Sequence, residues 1–272
     1  MARNQPEIYP PHEYYCQMNL LSRLRPLQVL ALSALVTSPC AADSYFTNSI
    51  ADAFVATGPT GNLSGSNFGA AGSLTVESAA LPRGQFQSVI EFDLSGAESH
   101  FNSEYGVGDW TVQSVSLQLT ASAHGNSIFN SVAAGQFGVS LMANNSWVEG
   151  TGTGGAPTSD GITYNSLTST YINNANDQAL GTFQFVGGTS GTGNYSLGLS
   201  SGLVGDLQGG SDLSLRLYPA DNQVSYLFNS REAGTGEPEL TIVATPEPGT
   251  LELGVTGLAM FAVWNRKRVR RR

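Results

Sequence analysis

The sequence predicts an all-β protein: a single antiparallel β-sandwich of jelly-roll type, flanked by a signal helix and a short apolar helix at the C-terminus. Three observations carry this. Apolar and polar residues alternate at period two in segment after segment. Glycine-rich or asparagine-rich turns separate those segments, as at 58–61, 187–193 and Gly209-Gly210. Between them, helix-favouring residues seldom recur at helical spacing. Eight to ten half-buried strands with no long helix between them make a sandwich.

Residues 1–17 are polar, contain proline and have no apolar run, so they read as an over-extended frame ahead of a true start at Met18. Residues 18–42 have the order of an export signal. Arg23 and Arg25 come first, an apolar stretch at 27–36 follows, and Ser38-Pro39-Cys40-Ala41-Ala42 supplies a small-residue cleavage zone with the cut after Ala42. Both cysteines, Cys16 and Cys40, precede Asp43. The domain at 43–245 therefore relies on an apolar core, without disulfides or thiolate metal sites.

That domain carries 17 acidic residues against three basic ones, Arg83, Arg216 and Arg231, a net −14 with no lysine. Such a surface repels nucleic acid and other polyanions. The strands read in order. Leu74 and Val76 alternate with Thr75 and Glu77. Ile90, Phe92 and Leu94 oppose Glu91 and Asp93. Val115, Leu117, Leu119 and Ala121 oppose Ser116, Gln118 and Thr120. Phe137, Val139 and Leu141 follow, then Phe183 with Phe185 and Leu197 with Leu199. Leu213, Leu215 and Leu217 oppose Ser214, Arg216 and Tyr218; Val224, Tyr226 and Phe228 come next, and Leu240 with Ile242 closes the domain.

No constellation argues for catalysis. The domain holds two histidines, His100 and His124, and lacks HExxH and Gly-Lys phosphate motifs. Glu91 and Asp93 share a strand face, a spacing glycosidases use, but ordinary alternation produces it. Calcium would suit loop carboxylates such as Asp206, Asp212 and Asp221, yet no DxDxDG-like run supports it, so no cofactor is expected. Aromatic rings are the natural partners of sugars. Tyr164, Tyr171 and Tyr195, in polar contexts, are the candidate glycan contacts, while Trp147 reads as core plugging one end of the sandwich. Arg231, scarce and placed just after an apolar strand, is expected in a structural ion pair with Asp93, or with Glu91 or Glu232.

One set of landmarks runs in order along the domain. Asp52-Ala-Phe-Val and Asn67-Phe-Gly come first, then Ser73-Leu-Thr-Val and Ser88-Val-Ile-Glu-Phe-Asp-Leu-Ser. Val112-Gln-Ser-Val-Ser-Leu-Gln-Leu, Trp147-Val-Glu-Gly-Thr-Gly, Gly161-Ile-Thr-Tyr, Phe228-Asn-Ser-Arg-Glu and Pro238-Glu-Leu-Thr-Ile complete it. In this order the chain resembles the DNRLRE-type domains, related to disaggregatase and to carbohydrate-binding β-sandwich modules. The resemblance implies polysaccharide as partner.

The tail, 246–272, has three parts in sequence. Pro246, Glu247 and Pro248 are followed by an apolar run at 251–264 and then by Arg266, Lys267, Arg268, Arg270, Arg271 and Arg272. The apolar run has 14 residues. As a helix it spans about 21 Å, short of a hydrocarbon core of about 30 Å. The arginines form a cytoplasmic stop beside anionic lipid. This tail resembles the PEP-CTERM sorting signal, which implies transient inner-membrane anchoring, processing by an exosortase, and release to the envelope or an exopolysaccharide matrix. The expected function is thus that of an exported, non-catalytic protein associated with extracellular polysaccharide. The alternatives are a dedicated carbohydrate-binding module and a polysaccharide-active enzyme. Charge narrows the glycan to neutral or cationic chains, or anionic ones bridged by a divalent ion.

Overall fold

A computed structural model describes residues 41–123, 128–129 and 132–247. The expected export signal up to Cys40, with Cys16, His124, Pro248, the apolar tail and the terminal arginines, lies outside the described residues. Those described form one unit, Ala41–Glu247, in which every strand pairing is antiparallel.

The organising strand is β1 (Asp43–Ala56), which belongs to both sheets. Its first half, from Asp43 to Asn48, pairs with β10 (Glu239–Pro246); its second half, from Ser49 to Ala56, pairs with β3 (Phe86–Asp93). A register shift between Ser49 and Ala51 marks the changeover, the local bend a bulge produces. The first sheet continues from β10 to β4 (Trp110–Thr120) and β7 (Thr192–Leu197). The second continues from β3 to β8 (Asp212–Pro219), β5 (Gly135–Leu141) and β6 (Gln178–Phe185). A further pair, β2 (Ser73–Glu77) with β9 (Ser225–Asn229), joins β3 at Glu77 and Phe86.

The main core takes the alternating residues the sequence set aside for it: Ile90, Phe92, Val115, Leu117, Leu119, Phe137, Val139, Leu213, Leu215, Leu217, Leu240 and Ile242 are all buried in one cluster. The all-β class therefore stands. In β2 the alternation misleads, because Thr75 and Glu77 are as buried as Leu74 and Val76. Ser88 Oγ accepts from Thr75 N at 3.0 Å and donates to Thr75 O at 2.9 Å, so this strand has protein on both faces. Leu199 falls beyond the end of β7 and is 42% exposed.

Two helices were not anticipated. In α1 (Ser95–Tyr105) only Ala97 and Phe101 are buried, so the segment is polar almost all round and carries little 3.6-residue periodicity. In α2 (Ser201–Gly209) the signals are present: Ser200 Oγ accepts from Leu203 N at 3.3 Å, Leu203 and Leu207 are buried, and Gly210 closes the end at φ 61°. The pair Gly209-Gly210 is thus a helix terminus and not a strand-to-strand turn.

A second, smaller apolar cluster lies on the other face of the second sheet. Ala53, Val55 and Val89 meet Met142, Trp147, Ile162 and Leu167, which come from the chain between β5 and β6. Trp147 is buried as expected, but it covers this outer face instead of plugging an end of the sandwich. Its Nε1 donates to Ser214 Oγ at 2.9 Å.

Candidate functional site

Five of the landmark segments meet in space. Asp52, on β1 and fully buried, accepts at Oδ2 from Arg231 N at 2.8 Å and from Ser49 Oγ at 3.3 Å. Its own N–H donates to Glu149 Oε1 at 2.9 Å. Glu149 Oε2 accepts from Arg231 Nη2 at 2.6 Å, and Glu232 Oε1 lies 3.0 Å from the same nitrogen. The ion pair expected of Arg231 therefore forms with Glu149 and Glu232, and not with Asp93. Asp93 ends β3 in solvent, where its Oδ1 accepts from Ser95 N at 2.8 Å just ahead of the helix.

Beside this pair stands Asn67, also fully buried. Its Nδ2 donates to Glu149 O at 2.6 Å and Ile162 O at 2.8 Å; its Oδ1 accepts from Gly69 N at 3.1 Å and Gly152 N at 3.0 Å. Both ends of the amide are used in full. The glycines of these segments exist for closeness: a Cβ at Gly69, Gly152 or Gly161 would collide with the backbone of 149–150 or of Asn67. The motifs thus build a clamp that fastens the chain between β5 and β6 onto the sheet.

The clamp is acidic and partly buried, which sets its electrostatics. Burial pushes the Asp52 carboxyl up to about 8, against the opposing hydrogen bond from Arg231 N. Glu91, on the neighbouring strand, is pushed up to about 7 by burial and by the carboxylates of Asp212 and Glu149. Burial raises Glu149 as well. Oxygens of Asp52, Glu149 and Glu232 lie within 4.8 Å of one another, a spacing that suits a cation. The Arg231 guanidinium already bridges two of them, so a metal ion would have to displace it. The loop carboxylates read as candidate calcium ligands are spread apart: Asp206 on α2, Asp212 opening β8, and Asp221 accepting from the N–H groups of Gln136, Gln223 and Val224.

The three candidate tyrosines separate. Tyr195 is in the core, 9% exposed, with its ring edge-on to Phe137 at 5.0 Å and its hydroxyl 3.4 Å from that of Tyr226. It offers no ring face to a sugar; the polar residues around it are the outward half of β7, not a loop. Tyr164 and Tyr171 lie together on a helical turn (Tyr164–Ser166 and Leu167–Tyr171), half-buried against the second cluster. The Tyr164 hydroxyl donates to Gln85 Oε1 at 2.6 Å.

Next to Tyr164 is a surface that sequence reading passed over as the polar half of β8. Arg216 pairs in register with Ser140 on β5 and Val89 on β3, and Tyr218 with Gly138 on β5. Val89 belongs to the second cluster, so this row faces outward from the main core. The Tyr218 ring lies across Gly138, where any Cβ would strike it. Gln87, paired with Val55 of the same cluster, is on this face too. The Gln87 Oε1 and Ser140 Oγ atoms are buried and without a hydrogen-bond partner among the described residues. The signal was legible in part: alternation at Leu213, Leu215 and Leu217 puts Arg216 and Tyr218 together, but not Gly138. No family model and no curated protein matches this chain.

Proposed function

We propose that the protein is an exported, non-catalytic β-sandwich that binds saccharide on the outer face of its second sheet, within the envelope or an exopolysaccharide-rich matrix. The observation that carries the binding half is the face around Tyr218. Two half-buried tyrosines, Tyr164 and Tyr218, stand beside an amide oxygen and a hydroxyl that lack partners. A polyhydroxylated ring supplies hydroxyls for such groups and C–H surface for aromatic side chains. The routing half rests on the tail: Pro246, Glu247 and Pro248, the short apolar run and the arginine cluster suit exosortase processing at the inner membrane.

Binding is favoured over hydrolysis because the three clustered carboxylates are committed elsewhere. Glu149 and Glu232 are held by Arg231, and Asp52 is buried under the same residue. The strand order, with β8 between β3 and β5 and β6 beyond β5, supports the jelly-roll form of the sandwich. Affinity electrophoresis of the full chain through gels cast with different polysaccharides, with and without EDTA, tests the proposal alongside a reducing-sugar assay. Weak retention by at least one polysaccharide with no release of reducing ends is expected. Sustained release of reducing ends, or no retention by any of them, would overturn it.

A further inference from the structure

The three arginines of the described unit differ in what they hold. Arg83 donates to Ile128 O at 3.2 Å, and Arg231 bridges Glu149 and Glu232. Arg216 makes no hydrogen bond and no ion pair among the described residues. Its guanidinium carbon sits 4.6 Å from the centre of the Tyr218 ring, and its Nε is buried without an acceptor. Asp177, the carboxylate whose charge acts on Arg216, is spent on its own turn, accepting from Ala143 N at 2.9 Å and Asn173 N at 3.0 Å. Half-buried guanidinium groups are normally paired, because their five donors form a rigid fork suited to a carboxylate. Here stacking on the ring fixes the fork, and nothing among the described residues fills it.

The surroundings narrow the ligand. Ser140, directly across the strand from Arg216, keeps a buried hydroxyl without a partner, and Gln87 keeps an amide oxygen. One anionic group flanked by hydroxyls would use all three. A dense polyanion is excluded by the rest of the domain, whose net −14 repels it at long range.

We propose that Arg216 anchors a carboxylate of the bound saccharide, so that the ligand is a mainly neutral glycan carrying acidic sugar residues at intervals. This rests on the saccharide-binding reading above. The guanidinium fork takes the carboxylate, Tyr218 holds the fork in place from its ring face, and Ser140 and Gln87 meet neighbouring hydroxyls.

The test compares the full chain with Arg216→Gln and Arg216→Lys on immobilised oligosaccharides offered in pairs, each neutral chain beside a version with some residues oxidised to uronic acid. In parallel, sodium glucuronate and glucose are titrated while the Arg216 Nε–H resonance is followed. The expected result is an acidic-to-neutral retention ratio of about ten or more. It should fall to about one in Arg216→Gln and lie between in Arg216→Lys, with glucuronate and not glucose shifting the resonance. Thermal melting identifies a variant that fails to fold, and the lysine variant and the resonance then decide. Equal retention of both members of each pair by the native chain, or a preference that survives in Arg216→Gln, overturns the anchor and leaves saccharide binding standing. Failure to retain any saccharide, neutral or acidic, overturns both.

Discussion

Arg231 and Glu149 meet at 2.6 Å across 82 residues of chain, and through that contact the loop between β5 and β6 is tied to the turn after β9, whose Arg231 N also holds Asp52 on β1. Arg231 is 39% exposed and Glu149 19%, so the pair is neither a free surface bridge nor a sealed one. Replacing Arg231 by alanine leaves Glu149 and Glu232 facing each other without a cation. A loss of about 1–3 kcal/mol is expected in urea unfolding. A change below about 0.5 kcal/mol would place the pair among ordinary surface bridges.

Asn67 holds the same loop from the other side, and its removal should cost more. Asn67→Ala strands two N–H groups and two carbonyls in a buried place. At about 0.5–1.5 kcal/mol each, the sum is about 2–6 kcal/mol. Limited proteolysis should then cut first within 149–162, and a variant that melts like the native chain would show that the clamp contributes nothing.

Stability should rise on mild acidification. Asp52 at about 8 and Glu91 at about 7 both lie above their ordinary values near 3.8 and 4.5, so the folded state binds protons more tightly than the unfolded chain. Their contribution is fully present below about pH 4 and is lost as pH rises through about 7 to 8. Asp160, lowered to about 2 by hydrogen bonds from Thr158 and Thr151, has the opposite sign, and its contribution is lost as pH falls through about 2. Melting curves should therefore peak between about pH 4 and 6, with the slope above pH 6 reduced in Asp52→Asn. A midpoint that is highest at pH 8 would contradict these assignments.

Tyr195 and Tyr218 should behave oppositely. Tyr195→Ala removes a core ring packed on Phe137 and Phe183, with an expected loss of about 3–5 kcal/mol. Tyr218→Ala should change stability far less while abolishing retention on saccharide gels. Loss of retention in neither variant, or in both to the extent that each unfolds, would remove Tyr218 from the binding face.

The ends of the matured protein can be read by intact mass. β1 opens at Asp43, the residue after the expected signal cut. At the other end Pro246 of β10 is paired with Trp110 of β4, and Glu247 N donates to Asp109 O at 2.8 Å, so Pro246 and Glu247 are docked on the sheet. Exported protein should begin near Asp43 and end near Pro248. Peptides containing Cys16 or Arg272 in the extracellular form would refute this.

Much of the sandwich was legible because a strand with one wet face writes its burial as alternation. Leu213, Leu215 and Leu217, or Val115, Leu117 and Leu119, have no other simple reading. The rest was hidden wherever burial is not one-sided. β2 is covered on both faces, β1 changes sheets midway, and α1 is polar almost all round. For the clamp, sequence showed that a lone arginine after an apolar strand needs a carboxylate. It could not show that Glu149 is nearer than Asp93, since fold topology alone brings Glu149 there. Arg216 was visible only as the polar face of a strand, because stacking on Tyr218 depends on a glycine one strand over.

The pairing of β1 with β10 places Asp43 opposite Ala244, so the unit enters and leaves its fold on adjacent strands. Tension applied between the two ends would load these rungs one at a time, like a zipper, and not all together in shear. The first part to open would be the Asp43–Asn48 half of β1, while the half that carries Asp52 stays fastened to β3 and Arg231. The domain would then yield as a short extensible tether before the face around Tyr218 is disturbed.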